Sequence, residues 1–155
     1  FDQVIKILKK IGINFYLENS IYGAHYNVAK EIYKDNPIFG VGIKNFRIES
    51  FSKKYENLSH KENDKRGNTH PHQIHFEFLS ETGILGYISF CIFIFFTFYL
   101  FFKSYKKKRN LFQLSGAIYI LVSLIPFLPS GSFFSTYTSG LFWINYAVMV
   151  GYLRK

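Results

Sequence analysis

Cysteine, tryptophan and methionine are scarce in this chain, which has one of each among 155 residues. The lone cysteine, Cys91, cannot form a disulfide within the chain, so the sequence does not define a redox compartment. The first residues, FDQVIKILKKIG, also lack the long apolar core and small-residue cleavage site of a secretory signal peptide. Because no initiator methionine precedes them, we expect the chain to begin inside a longer protein, with further helices before Phe1.

Charged residues are absent from Ile84–Phe102, which reads ILGYISFCIFIFFTFYLFF and is 19 residues long. As a helix rising 1.5 Å per residue, this run reaches roughly 28 Å, about the hydrocarbon thickness of a bilayer. The core helix of a soluble protein is the alternative interpretation, but such a helix normally carries a polar stripe. The run therefore predicts a helix that spans a membrane.

Further hydrophobic segments follow this run, and Pro126, Pro129 and Gly131 favour a hairpin between them. The sequence thus predicts an all-α chain in two parts, a mostly helical loop region outside the membrane and a set of transmembrane helices. The predicted bounds are 1–82 for the loop region and 83–155 for three transmembrane helices at about 84–102, 111–128 and 137–153.

The formal net charge of +9 is compatible with nucleic-acid binding, but the positions of the basic residues favour a membrane. Five of the 19 Lys and Arg residues lie within residues 103–109, after the first apolar run, and Arg154 and Lys155 follow the last. With three crossings both groups face the same side, which the positive-inside rule assigns to the cytoplasm. We therefore expect a cytoplasmic C-terminus, the lipid bilayer as a partner, and no nucleic-acid partner.

The region before the membrane contains two helix candidates and a glycine-containing loop. Val4–Ile11 is amphipathic, and Ala24–Tyr33 has apolar residues at helical spacing before Pro37 ends the pattern. In the following stretch, NPIFGVGIKNFR, Gly40 and Gly42 permit a tight turn or a close backbone approach. This stretch is not a phosphate-binding P-loop, because the GK[ST] ending is absent.

The segment THPHQIHFEFLSETGILG carries most of the candidate chemistry. Pro71 predicts a helix start, and from there His72 and His75 lie on one helix face. A neutral imidazole could act as a general base, or the histidines could form hydrogen bonds at the headgroup boundary. His70, His72 and His75 could also bind zinc with a nearby glutamate, although no HExxH motif or cysteine partner is present. The residues alone leave these three alternatives open.

The motifs NPIFGVGIKNFR and HPHQIHFEFLSETGILG resemble, in order and context, the C-terminal half of the O-antigen ligase and polymerase superfamily. There, similar stretches lie in a large periplasmic loop before the last membrane helices, and PFLPSGSFFSTYTSGLFW resembles the final hairpin. The resemblance covers residues 22–153. It implies a multi-pass protein of the bacterial inner (cytoplasmic) membrane with residues 1–82 in the periplasm. It also implies a glycosyltransferase, a ligase or a polymerase, that works without a metal or other cofactor. Such an enzyme moves glycan from an undecaprenyl-diphosphate donor to a glycolipid or glycan acceptor.

The resemblance also implies roles for residues of the two motifs. His72 matches the histidine expected to act as general base, and His70 is the second candidate. The planar fork of Arg47 and the point charge of Lys44 suit the diphosphate of the donor. Three residues match supporting positions of the second motif, where the glutamates are expected to orient a histidine or a lysine: Gln73, which replaces the superfamily's asparagine, Glu77 and Glu81.

The chain departs from the superfamily before the first motif, where many members carry another arginine. His25 or Lys30 could take its place, or the phosphate could rely on Arg47 and on the further helices expected before Phe1. The alternative function is a non-catalytic transporter or glycan-binding protein of cell-envelope polysaccharide export. A transporter needs ionisable residues at membrane depth, and Ile84–Phe102 has none. Three helices cannot enclose a long lipid-linked substrate, so we expect this chain alone to be inactive.

Overall fold

The computed structural model describes residue 12 and residues 20–58, 67–126 and 128–151. The predicted helix Val4–Ile11 lies outside these residues. Within them the fold is all-helical, as the sequence predicts. The helices are α1 (Ile21–Asp35), α2 (Phe46–Glu49), a 3₁₀ helix (Lys53–Leu58), α3 (Ile74–Lys108), α4 (Leu111–Ser123) and α5 (Thr136–Val150).

Helix α1 confirms the second predicted outer helix and is longer than expected at both ends. Its first turn is capped by Ser20, whose Oγ accepts a hydrogen bond of 2.9 Å from the Gly23 N–H. Val28 and Ile32 are fully buried and pack with Phe46 of α2. The helix ends just before Pro37, as predicted, because the residue preceding a proline is disfavoured in the helical conformation.

The loop between α1 and α2 lies against α3. The Val41 N–H donates to the Ser80 carbonyl at 3.0 Å, and the Gly42 N–H donates to the Glu81 carbonyl at 2.8 Å. Gly40 has a φ of +66°, and a Cβ at this position would collide with the Glu81 backbone. The close backbone approach predicted for this glycine is therefore confirmed.

Helix α3 contains 35 residues and is interrupted at Gly83, where φ is 65° and ψ is −168°. A side chain at Gly83 would collide with the Ile38 carbonyl, so glycine permits both the break and the loop contact. The apolar run Ile84–Phe102 follows the break as one continuous helix. Among the described residues, α3 is the helix long and apolar enough to cross a membrane.

Helices α4 and α5 pack together as the predicted hairpin. They approach closely at Gly116, where a Cβ would lie 2.5 Å from the Asn145 carbonyl oxygen. Helix α4 has 13 residues and α5 has 15. Helix α4 ends at Ser123, short of the predicted 111–128 segment, because Pro126 cannot continue the hydrogen-bond ladder. Both helices are thus shorter than the about 20 residues of a full membrane crossing.

An aromatic cluster fixes the hairpin against α3. Phe78 stacks on Phe90 with ring centroids 4.2 Å apart, and Phe133 lies 5.5 Å from Phe90 and 5.0 Å from Phe142 of α5. All four rings are buried. They hold the loop before α5 next to the first turns of α3.

Candidate functional site

The two motifs and the loop before α5 enclose a cleft of about 320 Å³. The first motif contributes Lys44 and Arg47, and the segment before α3 contributes Thr69 and His70. The rest of the lining comes from the α4–α5 loop and the first turn of α5: Gly131, Ser132, Ser135 and Thr138. Three predicted site residues, from two segments that are distant in sequence, therefore share one cleft.

Glu81 holds the loop that carries Lys44 and Arg47. The residue is 1% exposed, and its Oε2 accepts a hydrogen bond of 2.6 Å from the Lys44 N–H, while Oε1 accepts one of 3.3 Å from the Phe46 N–H. Burial raises the pKa of Glu81, against the effect of these two bonds and of the nearby cations. Glu81 thus orients the Lys44 backbone, and through it the loop.

Glu77 holds the other loop of the cleft. Its Oε1 accepts a hydrogen bond from the Ser132 hydroxyl, and its Oε2 accepts one of 2.7 Å from the Phe133 N–H. Burial raises the pKa of Glu77 to about 7, and the bonds from Ser132 and Phe133 act in the opposite direction. Because Glu77 and Glu81 are four residues apart on α3, the same short stretch of helix fixes both loops.

Three histidines, His25, His70 and His72, lie together beside the cleft. The ring centroids of His70 and His72 are 4.1 Å apart, and those of His25 and His72 are 5.4 Å apart. Asn68 Oδ1 accepts a hydrogen bond of 2.6 Å from the Thr69 N–H, which directs the amide nitrogen towards the rings. That nitrogen lies 3.0 Å from Nε2 of His72 and 3.3 Å from Nε2 of His25, so both ring atoms act as acceptors.

Burial is the main influence on the pKa of the two candidate bases. It lowers the pKa of His70 to about 4, with a further lowering by His72 and His25 and an opposing effect of the Ser130 backbone. Burial also lowers the pKa of His72. Both imidazoles are therefore neutral at pH 7, the form that a general base requires. His70 lines the cleft, whereas His72 does not.

The helix predicted to start near Pro71 begins instead at Ile74. His72 has a φ of 57°, a left-handed conformation that cannot continue a right-handed helix. Gln73 becomes the N-cap, and its Oε1 accepts a hydrogen bond of 3.0 Å from the Phe76 N–H. The prediction that His72 and His75 share a helix face was therefore wrong.

His75 is directed away from the other histidines. Its Nε2 lies 2.9 Å from the Leu124 carbonyl oxygen, and its Nδ1 lies 3.1 Å from the Tyr87 hydroxyl. In the part of the chain that the structure describes, no three His, Cys, Asp or Glu side chains are grouped to hold a metal ion. His70, His72 and His75 therefore do not form the zinc site that their spacing allowed.

Of the two candidates to replace the missing arginine, His25 lies in the histidine cluster and Lys30 does not. His25 is 1% exposed, whereas Lys30 is exposed on α1 and is not part of the cleft lining. The sequence predicted no site role for Ser132 or Asn68. The likeness of PFLPSGSFFSTYTSGLFW to a family hairpin was the one signal that could have indicated Ser132.

These features define a helical membrane protein with a site of histidines and cations next to its long apolar helix. The family model described as O-antigen ligase matches residues 14–91, half of the chain, and the chain belongs to this family. The family consists of membrane enzymes that act on lipid-linked glycans. No curated protein and no solved structure matches the chain.

Proposed function

We propose that the chain is the C-terminal part of a glycosyltransferase that moves glycan from an undecaprenyl-diphosphate donor to an acceptor hydroxyl. The observation that carries this proposal is the cleft shared by Lys44, Arg47 and His70. A diphosphate leaving group requires cations, and a hydroxyl nucleophile requires a base. The cleft contains both kinds of group. The family to which the chain belongs acts on lipid-linked glycans.

In the proposed reaction, the oxygen of the acceptor hydroxyl attacks the anomeric carbon of the donor sugar and forms the new glycosidic bond. The bond between that carbon and the diphosphate oxygen breaks, and undecaprenyl diphosphate leaves with the electron pair. The hydroxyl proton passes to a neutral imidazole. Arg47 binds the phosphate oxygens through its planar fork, and Lys44 adds a point charge. These two cations supply the charge that a metal ion would otherwise provide.

We assign the base to the histidine pair and place His70 ahead of His72, the reverse of the order that the motif suggested. His70 lines the cleft with Arg47. The Nε2 lone pair of His72 already accepts a hydrogen bond from Asn68, at 3.0 Å, and is less available to a substrate proton. His72, which Asn68 contacts at 3.0 Å, then holds the His70 ring by packing against it, since the two imidazoles are in contact.

The three supporting residues act on the backbone in this proposal. Gln73 caps α3 and so sets the position at which the histidine segment enters the helix. Glu81 holds the Lys44 backbone, and Glu77 holds the Ser132 loop. Each carboxylate keeps one wall of the cleft in place, and the two are joined by a single turn of α3.

The proposed topology places residues 1–82 in the periplasm and the C-terminus in the cytoplasm, with three crossings of the inner membrane. Helix α3 is long enough for one crossing. The 13 residues of α4 and the 15 of α5 need the apolar residues beside them to cover the hydrocarbon layer. This arrangement puts the cleft at the outer surface of the membrane, within reach of a diphosphate headgroup.

The proposal is tested with the full-length parent gene in a host that lacks it. We would express His70→Ala, His72→Ala and Arg47→Ala, with Lys30→Ala as a control because Lys30 is exposed and outside the cleft. Immunoblots of the membrane fraction give protein levels, and surface glycan is resolved on a gel.

At normal protein levels, we expect His70→Ala and Arg47→Ala to lose surface glycan and Lys30→Ala to keep it. The ladder pattern of the unmodified protein then separates ligation from polymerisation. Unchanged glycan in both histidine variants would remove the proposed base and favour the non-catalytic transporter or glycan-binding function.

A further inference from the structure

The end of α3 beyond Phe102 is basic and has no acidic partner in its own part of the chain. Lys103, Lys106 and Lys107 are exposed, and no aspartate or glutamate occurs anywhere after Glu81. Among the described residues, both ion pairs lie before residue 59, in the region outside the apolar run. The three lysines therefore need counter-ions that this half of the chain does not supply.

An apolar groove lies directly beside these lysines. Its volume is about 670 Å³, and Phe95 and Tyr99 in its wall are 71% and 55% exposed. Spacings of three and four residues place the aromatic residues on one face of α3, with the lysines at its end. The lining consists of four aromatic residues and the three lysines: Phe95, Phe98, Tyr99, Phe102, Lys103, Lys106 and Lys107.

We propose that this groove binds one anionic glycerophospholipid of the bilayer, of the phosphatidylglycerol type. The phosphate lies among Lys103, Lys106 and Lys107, and an acyl chain lies along Phe95 and Tyr99. Charge complementarity selects this occupant. An apolar helix would leave the lysines without counter-ions, and a zwitterionic lipid would bring its own cation close to them. Each lysine near a membrane surface strengthens the attraction to anionic lipid by about fivefold.

The lipid site is separate from the cleft. From Gly83 to Lys103 the helix rises roughly 30 Å at 1.5 Å per residue, which is about the hydrocarbon thickness. The site therefore lies at the opposite end of the apolar run from Glu77 and Glu81. The proposal does not depend on glycan transfer, and either proposal can fail without the other.

The test uses the purified full-length protein in detergent and counts retained lipids by native mass spectrometry. The probes are phosphatidylglycerol and phosphatidylcholine with the same acyl chains. We expect the unmodified protein to prefer phosphatidylglycerol by about tenfold or more, and the preference to weaken as ionic strength rises. Equal retention of the two lipids by the unmodified protein would overturn the proposal.

Substitutions of the lysines test whether the preference for phosphatidylglycerol arises at this groove. The triple substitution K103Q/K106Q/K107Q should remove it, whereas K103R/K106R/K107R should keep it. The control K30Q/K34Q/K53Q removes the same formal charge from the outer region and should leave the preference unchanged. An unchanged preference in K103Q/K106Q/K107Q would overturn the proposal, because residues other than these three lysines would then select the anionic lipid. An equal loss in the control would show a non-specific charge effect and would also overturn it.

Discussion

The backbone N–H of Lys44 donates a hydrogen bond of 2.6 Å to Oε2 of Glu81, 37 residues further along the chain. Lys44 has a φ of 63°, a conformation that non-glycine residues rarely adopt. The bond to a buried carboxylate therefore stabilises an otherwise unfavourable loop. Arg47 follows three residues later, so the position of the proposed phosphate-binding side chain depends on Glu81.

The first prediction concerns the removal of this carboxylate. Glu81→Ala leaves the Lys44 and Phe46 N–H groups without their acceptor and should cost about 1–3 kcal/mol of stability. Glu81→Gln keeps one acceptor oxygen and should therefore lose less stability than Glu81→Ala. Thermal unfolding of the purified full-length variants measures these differences in stability. The KM for the lipid-linked donor should rise in Glu81→Gln and rise further in Glu81→Ala. Equal KM values in all three proteins would contradict a positioning role.

The second prediction separates charge from shape at Arg47. Arg47→Lys keeps the cation but loses the bidentate fork, so the donor KM should rise by about tenfold, corresponding to roughly one lost charge-assisted hydrogen bond. Lys44→Arg keeps its charge and should change KM much less. Donor titrations with the full-length enzyme give both values. A normal KM in Arg47→Lys would show that charge alone suffices at this position.

The third prediction follows from the lowered pKa of His70. Because this pKa is about 4, against 6.5 for an ordinary histidine, His70 stays neutral well below pH 6. The transfer rate should therefore keep its neutral-pH value down to about pH 5 and fall as the pH approaches 4. The rate as a function of pH in the full-length enzyme tests this directly. A fall centred near pH 6.5 would indicate a solvated histidine as the base.

The fourth prediction concerns stability and Glu77. Its folded-state pKa is raised from 4.5 to about 7, so the folded protein binds more protons than the unfolded chain between these values. The contribution of Glu77 to stability is therefore fully present below pH 4.5 and is lost as the pH rises through 7. Relative to Glu77→Gln, which does not titrate, the unmodified protein should lose thermal stability between pH 5 and about pH 7.5. A difference in thermal stability between the two proteins that stays constant over this pH range would contradict the raised pKa of Glu77.

The fifth prediction uses two glycines in helices. Gly83→Ala places a Cβ against the Ile38 carbonyl at a φ of +65°, so it should reduce the amount of folded protein in the membrane severalfold. Gly140→Ala has no atom within 4 Å of the new Cβ and serves as the matched control. It should leave the level unchanged or slightly higher, because alanine favours a helix over glycine. Similar levels of both variants would contradict the backbone contact.

Local patterns predicted the helices well. Apolar spacing and Pro37 indicated α1, and the uncharged run Ile84–Phe102 indicated the long part of α3. These features depend on residues within one or two helical turns, and the sequence displays them directly. The start of α3 was mispredicted, because the left-handed backbone of His72 comes from tertiary contacts such as the Ser130 N–H bond to its carbonyl, at 2.8 Å.

The sequence named three of the residues that line the cleft, but it did not predict how the cleft is built. The motifs indicated Arg47, Lys44 and the histidines, yet Ser132 lies 55 residues from Glu77, and no local pattern joins them. Likewise, nothing in the spacing of His70, His72 and His75 showed that the His75 ring would contact the Leu124 carbonyl, just after α4. Which histidine lines the cleft depends on how the hairpin packs against α3, and that packing is non-local.

The most direct measurement detects undecaprenyl diphosphate, which is released in the proposed reaction whatever the sugar or acceptor. The full-length protein would be reconstituted in lipid nanodiscs with lipid-linked glycan extracted from its host, in the presence of EDTA. We predict release by the unmodified protein and by Lys30→Ala, and loss of release in His70→Ala and Arg47→Ala. Release by both variants at the unmodified rate, or no release by a folded, unmodified protein supplied with donor and acceptor, would contradict glycan transfer at this cleft.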